Sequence, residues 1–269
     1  MEGVNEIPAK LQRIFWTAAL VAIFPAMAWG QFVNITDAAG VANAGQYSTN
    51  LAWGDYDGDG DVDLYVTNWG AAQQPPPDRL YRNELDGSVG VVFADVSVDL
   101  GLTVASNSTS AAWADFDNDG DLDLYVANDF GRNNLYQNNN GHFTDIAPLA
   151  GVEDIATGMS ASWGDYNRDG LVDVYISNMF SSAGNRIAYQ TRFAPNTTDQ
   201  TVTYLQRTAR GNSLFANAGN GTFHDVSELA GVTMGRWAWG SKFVDLNNDG
   251  WQDLVVTNGL VTNDDTGDL

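Results

Sequence analysis

Residues 53–68 read WGDYDGDGDVDLYVTN, and close variants follow at 113–128 (WADFDNDGDLDLYVAN), 163–178 (WGDYNRDGLVDVYISN) and 243–258 (FVDLNNDGWQDLVVTN). Each carries an acidic run, at 55–63, 115–123, 165–173 and 245–253, of the form D-x-[DN]-x-[DN]-G-x-x-D. Oxygen donors at positions 1, 3, 5 and 9, a main-chain carbonyl at 7 and a glycine at 6 for the sharp turn are what a hard cation of calcium size requires. In the first run these are Asp55, Asp57, Asp59, the carbonyl of Asp61, and Asp63; in the second, Asp115, Asp117, Asp119, the carbonyl of Asp121, and Asp123. The third offers Asp165, Asn167, Asp169, the Leu171 carbonyl and Asp173, and the fourth Asp245, Asn247, Asp249, the Trp251 carbonyl and Asp253. Crowding these carboxylates is repulsive without a cation. The large, flexible, all-oxygen set favours Ca²⁺ over Mg²⁺, and about four ions are expected.

An EF-hand opens in the same way, but it needs a Glu at position 12 and flanking helices. Position 12 here is Val66, Val126, Ile176 or Val256, inside alternating apolar patterns such as LYVTN and LYVAN. Period-two alternation of β-branched and aromatic residues between Gly and Asn reads as strand. The acidic runs are therefore expected in β-hairpins.

Two further boxes accompany the runs. FVNITDAAGV starts at Phe32, FADVSVDLGL at Phe93, FTDIAPLAGV at Phe143 and FHDVSELAGV at Phe223; from each Phe to the next first Asp is 23, 22, 22 and 22 residues. The other box is Leu80-Tyr81-Arg82-Asn83, Leu135-Tyr136-Gln137-Asn138 and Leu214-Phe215-Ala216-Asn217. One strand ends at the first Asp, one follows the acidic run, one lies at the Leu-Tyr box and one at the Phe box. Four-stranded antiparallel units repeating in this way are the pattern of propeller blades. A β-solenoid has much shorter rungs. The expected fold is an all-β propeller of about four repeats, incomplete or open. Phe32–Thr36 is then an outermost strand without a blade of its own, exposed sheet edges follow, and the gene is expected to continue past Leu269.

Over all 269 residues, 34 acidic side chains oppose 12 basic ones, a net charge of −22. Such a charge argues against nucleic acid and against anionic lipid. The absence of cysteine removes disulfides, thiolate catalysis and Cys-ligated metal. Sixteen of the acids lie in the four runs, and four Ca²⁺ would bring −22 to −14. Calcium thus stands where an exported chain would otherwise use disulfides.

Export is expected from residues 1–30, where Lys10 and Arg13 precede the uncharged stretch IFWTAALVAIFPAMAWG ending in small residues. This is the pattern of a cleaved signal peptide, leaving 31–269 as a mature secreted or periplasmic repeat domain with no membrane span; the alternative is an uncleaved anchor, which Pro25 and the short run suit less well.

The motifs WGDYDGDGDVDLYVTN and NNLYQNNNGHFTDIAPLAGV, with the stretch from NMFSSAGNRI to RGNSLFANAGNGTF, resemble FG-GAP and VCBS-type repeats. The resemblance is to the cartilage acidic protein and UnbV (ASPIC) family in particular. It covers nearly all of residues 32–265 and implies a calcium-loop β-propeller, commonly of seven blades, followed by a separate domain. With about four repeats and no such domain, the chain looks like an N-terminal fragment or an open partial propeller.

A partner surface is expected opposite the acidic runs. The connection from Asp173 to Leu214 is enlarged to 41 residues, against 17 and 12 in the first two units, and carries Arg186, Arg192, Arg207 and Arg210. A long insertion in a compact repeat is a candidate loop for an extracellular protein or glycan ligand; the alternative is a lid whose arginines pair with nearby acids. Trp53, Trp113 and Trp163 share one repeat position and read as blade core, whereas Trp69, Trp237 and Trp239 fall outside it and are ligand-surface candidates. Catalytic signals are thin. His142 and His224 flank Phe boxes, and Ser160 and Ser162 lack a nucleophile-elbow context. Binding or adhesion is the leading function, and an exported propeller-fold lyase or hydrolase acting on polysaccharide is the alternative.

Overall fold

The computed structural model describes residues 32–70, 75–85, 92–190, 192–193 and 196–259. Two compact units are distinguished, Met1–Thr36 and Asp37–Leu269. The signal peptide expected over 1–30 lies outside the described residues.

The larger unit is built of successive antiparallel meanders. Strands β1 (Tyr47–Gly54), β2 (Asp63–Trp69), β3 (Arg79–Asn83) and β4 (Phe93–Asp95) form the first sheet in that order. The second contains β5 (Ser108–Ala114), β6 (Asp123–Asn128), β7 (Asn134–Asn139) and β8 (His142–Asp145). The third contains β9 (Gly158–Gly164), β10 (Asp173–Asn178), β11 (Ser213–Asn217) and β12 (Phe223–Asp225). A fourth has two strands among the described residues, β13 (Ala238–Val244) and β14 (Asp253–Asn258). Three helices lie among the described residues, α1 (Ala147–Ala150) between β8 and β9, and α2 (Ser182–Ala188) and α3 (Asp199–Arg210) between β10 and β11. β1 packs on β5, β5 on β9 and β9 on β13, so the first strand of each sheet lies against the first strand of the next. This is the all-β, partial propeller expected from the repeats.

The second strands of the first three sheets, β2, β6 and β10, are buried on both faces, and their alternation sorts side chains between neighbouring blades. Tyr65 from β2 packs with Leu124 and Val126 of β6. Tyr125, next along the chain, faces the other way and packs with Val174 and Ile176 of β10. Tyr175 in turn packs with Phe243, Leu254 and Val256 of the fourth sheet. Each of these tyrosines meets the aromatic ring of the next first strand nearly edge-on: Tyr65–Trp113 at 84°, Tyr125–Trp163 at 89° and Tyr175–Phe243 at 79°. The indole N–H of Trp113 donates to the Ala52 carbonyl at 3.3 Å, and that of Trp163 to the Ala112 carbonyl at 3.1 Å. The reading of these tryptophans as blade core therefore holds for Trp113 and Trp163. Trp53 is 55% exposed, and among the described residues no strand precedes β1.

The Phe boxes stitch blades from outside. The Phe93 N–H donates to the Ala39 carbonyl, and the Phe143 N–H to the Leu100 carbonyl, both at 2.9 Å. The adjacent Gly40 and Gly101 have φ of +80° and +90°, and a Cβ on either would stand 2.9 and 2.7 Å from the carbonyl oxygens of Phe93 and Phe143. Only glycine meets both demands.

One expected element differs. Phe32–Thr36 is not a strand: residues 32–35 are irregular and Thr36 begins a turn. In β4, β8 and β12 the Phe strand pairs with a Leu-Tyr strand just upstream. Among the described residues no strand lies upstream of Phe32 to pair with it as a Leu-Tyr strand pairs with β4, β8 and β12.

Candidate functional site

The four acidic runs are hairpin turns joining the first and second strands of each sheet, as expected. Their glycines at position 6, Gly60, Gly120, Gly170 and Gly250, have φ between +84° and +98°. Position 4 is also left-handed, at Gly58, Asn118, Arg168 and Asn248, with φ between +59° and +69°. These two reversals fold each run back on itself. Oδ2 of the first Asp receives the N–H of the position-6 glycine: Gly60 to Asp55, Gly120 to Asp115 and Gly170 to Asp165 at 3.0 Å, and Gly250 to Asp245 at 2.8 Å. The position-5 carboxylate caps the position-7 N–H, as Asp59 does for Asp61 and Asp119 for Asp121, both at 2.9 Å.

The last Asp of each run is fixed differently. Asp63, Asp123 and Asp173 are fully buried. Each takes one N–H from position 2 of its own run, from Tyr56, Phe116 or Tyr166. Each takes another from the Asn of the Leu-Tyr box: Asn83, Asn138 or Asn217, all at 2.8 Å. Burial pushes Asp63 and Asp173 up to about 6 and Asp123 up to about 7, and the neighbouring carboxylates push the same way. Asp253 keeps the position-2 bond from Leu246 at 3.1 Å. The box asparagines are site residues to which the sequence reading gave no role, although their fixed place after Leu-Tyr marked them.

Carboxylate oxygens converge in two runs. Asp55, Asp57 and Asp63 bring one oxygen each within 4.8 Å of one another, and so do Asp115, Asp117 and Asp123. Asp55 Oδ1 and Asp117 Oδ1 are buried with no hydrogen-bond partner. A buried, unpaired carboxylate oxygen is costly unless something positive completes it, so these residues fit a bound cation. In the third and fourth runs Asn replaces the position-3 Asp, and its amide donates to the position-5 carboxylate, Asn167 to Asp169 at 2.8 Å and Asn247 to Asp249 at 2.9 Å. The structure gathers two of the four predicted ligand sets into three-carboxylate clusters, and holds the other two as the same turn with one carboxylate fewer.

The insertion after β10 leaves the opposite end of that strand from Asp173. It contains α2, capped by the Ser181 side chain accepting from Gly184 N–H, and α3, capped by Thr198 accepting from Thr201 N–H. Its four arginines divide. Arg207 spans buried Asp154, 2.9 Å from Nε, and Asp225, 2.7 Å from Nη1, and lies over the Phe215 ring. Arg210 reaches Asp225 at 2.8 Å and the Ser213 hydroxyl at 3.0 Å. These two clamp the helix to the blade, the arrangement of the alternative in which the insertion's arginines pair with nearby acids. Arg186 and Arg192 are exposed. Trp237 is bridged to Met179 and borders a cavity under the helices. Trp69 donates to Asp129 Oδ2 at 3.4 Å, and Trp239 is half-exposed. His142 and His224 are exposed on β8 and β12. Among the described residues no helix is long and apolar enough to cross a membrane.

Cartilage acidic protein 1 of Mus musculus is 33% identical over 99 residues, 37% of this chain and 14% of that protein. The Xenopus tropicalis and Homo sapiens proteins of the same name are 30% and 31% identical over the same length and shares. The matched region is thus about one seventh of these relatives. The FG-GAP-like repeat pattern matches residues 67–126, 115–176 and 198–256, more than half of the chain, and these matches include the second, third and fourth acidic runs. With blade, hairpin turn and repeat match in agreement, the chain belongs to the FG-GAP-like repeat family.

Proposed function

We propose that this chain is an exported binding or adhesion module whose acidic hairpins hold structural Ca²⁺. The observation that carries the metal reading is the pair of orphaned oxygens, Asp55 Oδ1 and Asp117 Oδ1, on carboxylates whose second oxygen is already held, Asp55 Oδ2 by the Gly60 N–H and Asp117 Oδ2 by the Gln137 side-chain amide. The residues that would hold the ion are Asp55, Asp57, Asp59, Asp63 and the Asp61 carbonyl, with their counterparts in the later runs. When bound, Ca²⁺ supplies charge neutralisation and a cross-link within each hairpin. Export rests on the residue pattern of 1–30. The binding role rests on a rigid repeat scaffold carrying an insertion, with an extracellular protein or glycan as the expected partner.

Melting in EGTA and in excess Ca²⁺ tests the metal reading. Each site stabilises the fold by about 2.7 kcal/mol when free ion exceeds Kd a hundredfold. Melting should therefore shift upward by many degrees with Ca²⁺. Superimposable curves would remove the proposal.

A further inference from the structure

The Leu-Tyr boxes differ at their third residue, which is Arg82, Gln137 or Ala216. Gln137 is half-buried on β7, and its side-chain amide crosses to the second acidic run, where it donates to Asp117 Oδ2 at 2.7 Å. The other blades depart from this. Arg82 turns its guanidinium to Glu84, with Nε at 2.8 Å, and Asp57, which holds the place of Asp117 in the first run, is exposed where Asp117 is half-buried. In the third blade Ala216 has no side-chain donor, and position 3 is Asn167, tied to Asp169.

The donors to the second carboxylate cluster sort by origin. Asp115 accepts at both oxygens, from the Asp119 N–H at 3.1 Å and the Gly120 N–H at 3.0 Å. Asp123 does the same, from the Phe116 N–H at 3.1 Å and the Asn138 N–H at 2.8 Å. These donors are all main-chain groups, so the hairpin turn and the pairing of β6 with β7 place both carboxylates. Asp117 differs: among the described residues its hydrogen-bond partner is the Gln137 amide, and its Oδ1 is buried and unpaired. The torsion that turns a carboxylate plane is broad and weakly determined on its own. An amide on one oxygen fixes it and directs the other oxygen into the cluster with Asp115 and Asp123. Being neutral, the amide does so without a positive charge that would oppose a cation.

We propose that Gln137 is the positioning residue of the second hairpin: by holding Asp117 Oδ2 it presents Oδ1 as a preset cation ligand, and it sets how tightly that hairpin, alone of the four, binds calcium. This deepens the metal reading and rests on it. Residues that orient metal-ligating side chains typically carry about 10–100-fold of the affinity.

Calcium titration of the full chain against a chromophoric chelator tests it. The wild-type protein should take up two ions tightly, one in each three-carboxylate hairpin. Gln137→Met keeps the side chain's length and removes its donor. It should leave one ion at wild-type affinity and weaken the other by about tenfold or more. The ion that stays tight belongs to the first hairpin, so Asp57→Asn/Gln137→Met should hold none tightly. In Asp117→Ala, where the oriented ligand is gone, adding Gln137→Met should change affinities by less than about twofold, because the two residues act as one unit. A general loosening of the blade would weaken both tight ions together, and the unperturbed first hairpin serves as the check that the variant is folded. Two tight ions retained in Gln137→Met, equal weakening of both, or the full effect persisting in Asp117→Ala would each overturn the role of Gln137. A wild-type protein that takes up no calcium would instead refute the metal reading on which that role rests.

Discussion

Asn138 donates its side-chain amide to the main-chain carbonyl of Tyr56 at 2.8 Å, across the boundary between the first and second blades. The same side chain donates to the Leu122 carbonyl at 3.1 Å, and its main-chain N–H goes to Asp123. One residue therefore fastens two consecutive acidic hairpins, the first at its second position and the second at its last carboxylate. Asn217 repeats this between the second and third hairpins, reaching Phe116 O at 2.8 Å and Val172 O at 3.2 Å. Asn83 reaches the Val62 carbonyl of its own hairpin at 3.1 Å, and among the described residues no hairpin precedes that one.

Asn138→Ala should accordingly cost more than an ordinary polar truncation. It strips donors from two carbonyls, one of them in a neighbouring blade, and a buried acceptor left bare costs about 1–3 kcal/mol. We expect a loss on the order of 3 kcal/mol in urea unfolding with Ca²⁺ present. Asn83→Ala, with no blade-crossing bond, should lose roughly 1 kcal/mol. Equal losses would show that the blade-crossing bond contributes nothing.

Asp78 makes a different kind of end-fastening. It is almost fully buried, takes the Asn68 N–H at 2.7 Å and the Tyr65 hydroxyl at 2.9 Å, and burial pushes it up to about 6. The second and third blades use Asn at this place: Asn133 accepts from Asn128 N–H and Asn212 from Asn178 N–H, both at 2.8 Å. A carboxyl raised above its unfolded value near 3.9 favours the folded state at low pH. That contribution fades as pH rises through 6. Asp78→Asn should remove the loss and gain roughly 2 kcal/mol at pH 8 while changing little at pH 4. Urea midpoints measured from pH 4 to 8 check this; parallel profiles for the two proteins would contradict it.

The blades were legible because their determinants are local. Trp at one end, Gly at position 6 and the LYV alternation each act within a few residues, and β1–β2, β5–β6 and β9–β10 formed where the pattern put them. What was missed depends on distant partners or on competing propensities. Phe32 carries the same box as Phe93, but a strand needs a neighbour, and none lies upstream among the described residues. Residues 199–210 include Thr201, Val202, Thr203 and Tyr204 in succession, which pull toward strand. Thr198 as a cap, Asp199 in the first turn and Arg207 and Arg210 in the last were nevertheless readable as helix ends. The partners of Arg207 were not readable, because Asp154 lies 53 residues away in sequence and is brought near only by the packing of α3 on the third sheet.

Removing Arg207 should expose that dependence. Asp154 has no exposed side-chain surface, and its Oδ1 is paired with the guanidinium at 2.9 Å. Arg207→Leu leaves a buried carboxylate without its counter-charge, a change that costs about 3–5 kcal/mol in comparable settings. Restoring neutrality with Asp154→Asn in the same chain should recover a substantial part. Arg186→Gln, at an exposed position, should move the unfolding free energy by less than about 0.5 kcal/mol. Guanidinium unfolding of the four proteins decides whether the insertion's arginines divide into clamps and free groups, as their contacts indicate.

The acidic hairpins should differ in their grip on calcium. The first two bring three carboxylates within reach of one another and leave an orphaned oxygen, on Asp55 and Asp117. In the third and fourth, Asn167 and Asn247 occupy position 3, reducing the anionic charge around the ion. Affinity in oxygen-ligated sites rises with the count of charged ligands. Titration of the calcium-free protein with Tb³⁺, read by luminescence sensitised from nearby Tyr and Trp, should resolve two tight sites and two weaker ones. The double variant Asp57→Asn/Asp117→Asn converts the first two hairpins to the ligand set of the others, and should merge the two classes into the weaker one. If the wild-type sites titrate as a single class, or if the variant leaves two tight sites in place, the position-3 carboxylate does not set affinity.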